Sequence, residues 1–195
     1  MNEDYFISDG TALFVNSSHG IYPTIGENYP LGNYPYSTLG IHANWAINDS
    51  WTVQGSVYNG VARQLFGPDH GLLDIRKDDG IFFIGDVNYR QESLLPGTYF
   101  AGLSYSNKIH GEELTDDKTN LTYWLYGEQS LYKAGNRHVD LMAQFSQNLS
   151  VDFGCKRYMG AGVLLYNILT DKIDNTLGVV VNNADYDFGD ETVVE

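Results

Sequence analysis

The stretch LGIHANWAINDSWTVQGSVY, residues 39–58, alternates between apolar and polar side chains on both sides of a short polar break. Ile41 belongs to the apolar set, whereas His42 and Asn44 belong to the polar set. After the break at residues 48–50 the same alternation resumes. Alternation at period two predicts a pair of antiparallel strands with one apolar and one polar face. The question is whether a protein core or lipid covers the apolar face.

Similar strands follow along the rest of the chain. They are longer than the roughly 5–6 residues usual in globular proteins, and close to the ~9–11 with which a tilted strand crosses a bilayer. Short and longer connections tend to alternate, as in up-and-down barrels of bacterial outer membranes. The sequence therefore predicts an all-β fold, an antiparallel up-and-down transmembrane β-barrel segment of about eight strands in meander order. The predicted strands are residues 38–47, 51–58, 81–90, 98–107, 121–132, 139–147, 155–168 and 176–186.

Residues 1–35 show no clean period and no helical pattern, whereas residues 36–186 carry the strand hairpins. Two interpretations of the irregular segment are open. It either folds inward or serves as an ordinary connecting loop. The start of the chain lacks a basic stretch followed by an apolar run, so it is not a secretory signal peptide. An exported protein would thus contain this chain as a mature segment or a fragment.

Composition excludes several classes of protein. The 195 residues suffice for one substantial domain. A net charge of −14 argues against nucleic acid as a partner, because phosphates would be repelled. Cys155 is the single cysteine, so no internal disulfide can form. No apolar stretch reaches the ~18 residues of a transmembrane helix, which leaves transmembrane strands open.

The polar face of the predicted strands is rich in uncharged hydrogen-bonding side chains, which suits the wall of a water-filled pore. Alternation places Phe82 and Ile84 on this same face, so the pattern is less regular there. A structural role, in a hydrogen bond or an internal ion pair, is the alternative for each pore-lining candidate. The candidates are His42, Asn44, Asp86, Asn88, Arg90, Tyr126 and Glu128.

Aromatic residues flank two of the short connections. Trp45 and Trp51 lie on either side of the first, and Tyr89 and Tyr99 on either side of the second. Amphipathic rings next to short connections are typical of the interfacial girdle of a membrane barrel. Cross-strand aromatic pairing in any antiparallel sheet explains them equally well.

Catalytic and cofactor sites have little support. The histidines at positions 19, 42, 70, 110 and 138 lack metal-ligand spacing, and no cofactor motif or nucleophile elbow occurs. The acidic stretches 74–80 and 113–119 are better explained as solvated loops than as calcium sites. A glycosidase would need two buried carboxylates at a workable separation, and the sequence supplies no such pair. We expect no enzyme, no metal and no cofactor.

Several ordered phrases resemble carbohydrate-selective porins of the OprB type. GTALFVNSSHGIYPT (10–24) resembles the family's Phe-[Ile/Val]-Asn-Ser-Ser-x-Gly-x-x-Pro segment. IGDVNYR and LLPGTYFAGLSYSN (84–107) are similar to its strand, Pro-Gly-Thr-Tyr turn and returning strand. Further matches are GSVYNG (55–60), YGEQSLY (126–132) and GAGVLLYNILTDKIDNTLGVVVNNA (160–184).

The resemblance implies a single porin domain over residues 1–195, shortened at both ends relative to a family barrel of about 16 strands. It implies passive, carbohydrate-selective diffusion of small sugars, monosaccharides among them, across the bacterial outer membrane. The expected partners are sugars and outer-membrane lipid, with self-association or a companion chain to supply missing strands. The alternatives are a soluble all-β carbohydrate-binding module and a non-functional porin fragment.

Overall fold

A computed structural model of the chain describes residues 5–6, 8, 10–14, 19–29, 36–61, 63–64, 75–108, 119–150, 154–170 and 173–187. Its main feature is one eight-stranded antiparallel sheet. The strands of this sheet are β2 (Gly40–Ala46), β3 (Trp51–Asn59), β5 (Ile81–Gln91), β6 (Gly97–Ser106), β7 (Asn120–Ala134), β8 (Arg137–Asn148), β9 (Gly154–Tyr166) and β10 (Thr176–Asp187). Neighbours in the sheet are neighbours in this sequence order, which is a meander.

The smaller elements lie outside this sheet. A two-stranded ribbon joins β1 (Tyr36–Ser37) to β4 (Arg63–Gln64). A 3-10 turn covers Thr11–Leu13, and the single short α-helix of the described part, α1, covers Pro23–Gly26. Within that part of the chain, no helix has the length and apolarity needed to span a membrane.

The predicted all-β meander of about eight strands is confirmed, and each predicted strand overlaps an observed one. The observed strands extend furthest beyond the predicted ones in the hairpin of β7 and β8, which continues to a tight turn at residues 135–136. Gly135 makes this turn with φ +62, which a residue without a side chain adopts easily. The ribbon of β1 and β4 was not predicted, because two-residue strands carry no period.

The meander gives the sheet two distinct ends. Connections 47–50, 92–96 and 135–136 are short and share one end, which we call the short-turn end. Connections 60–80 and 107–119 are longer and share the other end. The alternation of short and long connections stops after β8. Connection 149–153 at the long-connection end is shorter than connection 167–175 at the short-turn end.

One face of the sheet, the outer face, is apolar and open to its surroundings. Ile41 is 79% exposed and Val181 is 74% exposed, although both are aliphatic. Soluble monomers rarely show apolar patches that run across a whole sheet, whereas lipid-facing strands require them. Other exposed members of this face include Val57, Val87, Leu103, Leu125, Leu141, Met159, Val163, Leu177 and Val179.

The aromatic residues beside the short turns lie on this outer face as a row across three strands. Trp51 pairs with Tyr89 across β3 and β5, and Tyr89 pairs with Tyr99 across β5 and β6. The ring centroids are 4.6 and 6.1 Å apart. The rings therefore form cross-strand pairs at the height where an interfacial girdle would lie.

The opposite, inner face carries the core of the protein. The described residues between 5 and 29, which we call the inner segment, lie against it. Phe6 packs on Trp124 with centroids 4.8 Å apart, and Tyr22 stacks on Tyr158 at 5.6 Å. All four side chains are almost fully buried. The polar side of the strands is thus partly covered by this protein's own chain.

This packing accounts for the apolar residues on the inner face. Phe82 contacts Tyr29, with ring centroids 4.9 Å apart, and Ile84 is fully buried in the same core. The hydroxyl of Tyr29 donates to the carbonyl of Ser104 at 3.1 Å. Apolar side chains at inward positions therefore mark where the inner segment sits.

Candidate pore-lining site

A row of polar side chains crosses the inner face from β2 to β5. Asn44 lies directly opposite Gln54, and Gln54 lies directly opposite Asp86. The amide of Asn44 donates to Gln54 Oε1 at 3.3 Å, and Gln54 Nε2 donates to Asp86 Oδ2 at 3.3 Å. Asn88 donates to Asp86 Oδ1 at 2.6 Å. The register of three strands aligns Asn44, Gln54 and Asp86, and Asn88 extends this hydrogen-bonded chain along β5.

A second polar group lies on β7, where it meets the inner segment. The hydroxyl of Tyr126 donates to Glu128 Oε2, and Ser8 Oγ donates to the same oxygen at 2.9 Å. Tyr126 is buried and stacks on Phe100, with centroids 4.4 Å apart and an interplanar angle of 11°. Glu128 is therefore held in place by two hydroxyl donors, one from the sheet and one from the inner segment.

These two groups face an open space that we call the first cleft, with a volume of about 450 Å³. Four predicted residues line it directly: Asn44, Asn88, Arg90 and Glu128. Asp86 and Tyr126 lie behind this surface and hydrogen-bond to residues that form it. The structure thus brings six of the seven candidates together around one cleft.

His42 is the candidate that lies apart from the cleft. Its Nδ1 is 2.8 Å from Ser56 Oγ, and Ser56 is also 2.7 Å from the hydroxyl of Tyr5. The Tyr5 and His42 rings meet edge to face at 6.0 Å. His42 therefore contacts the inner segment.

Some residues of the cleft were not among the sequence candidates. Gln54 has the same parity as Asn44 and Asp86, so its position could have been predicted from alternation. Ser8 could not, because the inner segment has no period that gives its side chains a direction. Thr98 and Phe100 also line the cleft. The cleft surface combines amides and hydroxyls with two aromatic residues, two carboxylates and one guanidinium.

Two buried side chains of the inner segment, His19 and Tyr29, have shifted pKa values. His19 is almost fully buried, and this burial lowers its pKa from the ordinary value of 6.5. Burial also raises the pKa of Tyr29 to about 12, partly offset by its hydrogen bonds. Both side chains are therefore neutral at pH 7, which suits an apolar contact with the sheet.

The described part of the chain holds no group of three or more His, Cys, Asp or Glu side chains arranged for a metal ion. Of the residues discussed as metal ligands, His70, His110 and most of the acidic stretch 113–119 lie outside the described residues. The chemistry that the cleft offers is hydrogen bonding to a polar solute beside an aromatic ring.

Comparison with known proteins identifies the family of this chain. The sequence profile of the carbohydrate-selective porin family OprB matches residues 1–187. The chain belongs to this porin family. A comparison with curated protein sequences gave no match.

A solved porin structure shares the fold. The high-pH structure of Pseudomonas putida OprB is similar to this chain, with a TM-score of 0.60 and 18% sequence identity. The similarity covers 79% of this chain and 41% of the solved chain. This porin chain thus corresponds to less than half of that relative, and at this identity the likeness concerns the fold.

Proposed function

We propose that this porin chain forms part of the wall of a channel in the bacterial outer membrane, through which small sugars diffuse passively. The observation that carries the proposal is the polarity of the sheet. Its outer face is apolar and exposed, whereas its inner face carries a cleft of hydrogen-bonding groups. Lipid on one side and a hydrated solute on the other fit this distribution.

The first cleft is suited to weak binding of a sugar. Hydroxyl groups of a sugar can accept hydrogen bonds from Arg90 and Asn88 and donate them to Glu128, beside the largely buried ring of Phe100. These contacts are few and open to water, so the solute can leave again, as conduction requires. The inner segment narrows the passage, because it covers the inner face beside the cleft.

The two outermost strands, β2 and β10, need pairing partners in this account. No ladder joins β2 to β10 in the described part of the chain. Backbone groups at membrane depth must be hydrogen-bonded, so the barrel has to be closed by further strands. We propose self-association or a companion chain as one source of these strands.

Vesicle swelling tests the proposal. Chain reconstituted in lipid vesicles should permit swelling in isotonic glucose, with slower swelling for a tetrasaccharide. Replacing Glu128 by Gln should change the rate for glucose, because one hydrogen-bond acceptor of the cleft becomes a donor. The matched control is Glu27→Gln, at an exposed position outside the cleft, where the Gln carbonyl oxygen can still accept the hydrogen bond from the hydroxyl of Tyr186.

Two outcomes would contradict the proposal. Vesicles that never swell, although they contain folded chain, would favour a porin fragment without transport function. A monomer that is soluble without detergent and binds sugar would favour the carbohydrate-binding module.

A further inference from the structure

Beyond the first cleft, the inner face has a second open space of about 490 Å³, which we call the second cleft. It lies toward the short-turn end, because its lining includes residues 90–92 and 96–98 on either side of a short connection. Arg90, Thr98 and Glu128 line both clefts. The two spaces are therefore neighbours at the short-turn end, where the first cleft also includes Asp49 and Ser50.

The second cleft contains a stacked pair of rings. His138 and Tyr166 lie directly opposite each other on β8 and β9. Their ring centroids are 4.0 Å apart and the planes differ by 14°. The His138 side chain remains 28% exposed. Each ring covers one face of the other, so a solute stacks on a face that remains, and the pairing fixes the orientation of that face.

A fixed carboxylate lies next to these rings. Asp140 is buried, and its Oδ1 accepts a hydrogen bond from Ser130 Oγ at 2.6 Å. Its Oδ2 is 3.7 Å from His138 Nε2, which is too far for a hydrogen bond. This oxygen can accept a hydrogen bond from a hydroxyl group of a solute that stacks on the rings.

The charges of the second cleft favour a neutral solute. Arg90 and Lys133 contribute two cations, while Glu92, Glu128 and Asp140 contribute three carboxylates. The resulting charge of about −1 disfavours anions, and donors and acceptors for hydroxyl groups are both present.

We propose that the second cleft is a separate binding site for a neutral pyranose, with its ring on the His138–Tyr166 pair and its hydroxyls at Asp140 and Lys133. This inference rests on the proposed function and adds a second site beside the first cleft. Two weak neighbouring sites allow a solute to move in small steps, as conduction requires.

The imidazole signal of His138 tests this site directly. The full chain in detergent micelles, with ¹³C-labelled histidine, is titrated with methyl β-D-glucopyranoside, and His138 is assigned from His138→Asn. We expect its resonance to shift and saturate, with no shift from glycerol. Tyr166→Leu should weaken the binding about 3- to 10-fold, whereas Tyr166→Phe should keep it. If Tyr166→Leu does not fold, Asp140→Asn is tested in its place, and it should also weaken the binding.

Asn44→Ala separates the two clefts, because Asn44 lines the first cleft and not the second. The His138 shift should survive this change. If the His138 resonance does not shift although vesicles from the same preparation swell in glucose, the second site is overturned and the channel proposal stands. A response to glucose 6-phosphate but not to the neutral glucoside would also overturn it, since it would indicate an anion site. A saturating His138 shift without any swelling would support the site and contradict transport.

Discussion

The side chain of Asn28 forms two hydrogen bonds with the backbone of Cys155. Asn28 Nδ2 donates to the carbonyl of Cys155 at 2.6 Å, and the amide of Cys155 donates to Asn28 Oδ1 at 3.1 Å. The ladder between β8 and β9 ends at Gln147 and Arg157, so no β8 residue pairs with Cys155. The Asn28 amide takes the place of a strand residue and fixes the inner segment at the edge of this ladder.

Asn28→Asp is expected to weaken this attachment. The substitution replaces the donor that faces the carbonyl of Cys155 by an oxygen, and it leaves that carbonyl unpaired. The expected cost is about 1–3 kcal/mol in the free energy of unfolding, measured by denaturant unfolding in detergent. Asn136→Asp is the matched control in the exposed turn at residues 135–136, with an expected change within about 0.5 kcal/mol. Equal effects of the two substitutions would contradict the anchoring role.

Gly102 is expected to tolerate no side chain. A Cβ atom at this position would lie 2.2 Å from the ring of Trp124 and 2.7 Å from Cβ of Asp86. Gly102→Ala should therefore displace Trp124 from the core and destabilise the protein by about 1–3 kcal/mol. Gly55→Ala is the control, because the nearest atoms to its Cβ would be 3.8 Å away. Thermal unfolding of both variants checks this, and a fully stable Gly102→Ala variant would show that Trp124 is not held as described.

Attachment of the inner segment is expected to weaken in acid through His19. Nδ1 of His19 is 3.4 Å from the hydroxyl of Tyr158, and Nε2 is 3.2 Å from the amide of Asn182. Because burial lowers the pKa of His19, the detached segment binds a proton more readily than the attached one. Stability of the attachment should therefore fall as the pH drops below about 6.5 and be constant above it.

Hydrogen exchange over residues 19–29, corrected for intrinsic rates, measures this dependence. The protection should decrease between pH 8 and pH 5 in the natural protein. His19→Asn should remove the part of the decrease that begins near pH 6.5. An unchanged profile in the variant would assign the acid sensitivity to another group.

The sheet could be predicted from the sequence because its strands alternate over many residues. Side-chain direction follows from parity alone, and this placed Asn44, Asp86, Asn88 and Glu128 on one face. The path of the inner segment could not be predicted, since contacts such as Tyr22 with Tyr158 join residues far apart in sequence without a repeating pattern. The inward apolar residues were the available signal for this contact.

His42 shows the limit of parity. Alternation gave the correct face, but the partner on that face is Tyr5 of the inner segment and not the open cleft. Whether an inward side chain meets solute or protein depends on what covers it. That information is carried by tertiary packing, so the sequence alone could not separate His42 from Asn44.

The central claim, that the apolar outer face contacts lipid, is tested most directly by a spin-label scan along β8 in lipid vesicles. Labels are placed one at a time at residues 141–146 in a Cys155→Ser background. We expect high oxygen accessibility and low accessibility to a nickel chelate at Leu141, Ala143 and Phe145, and low oxygen accessibility at Met142 and Gln144. Uniform accessibility, or high nickel accessibility at Leu141 and Ala143, would contradict the account.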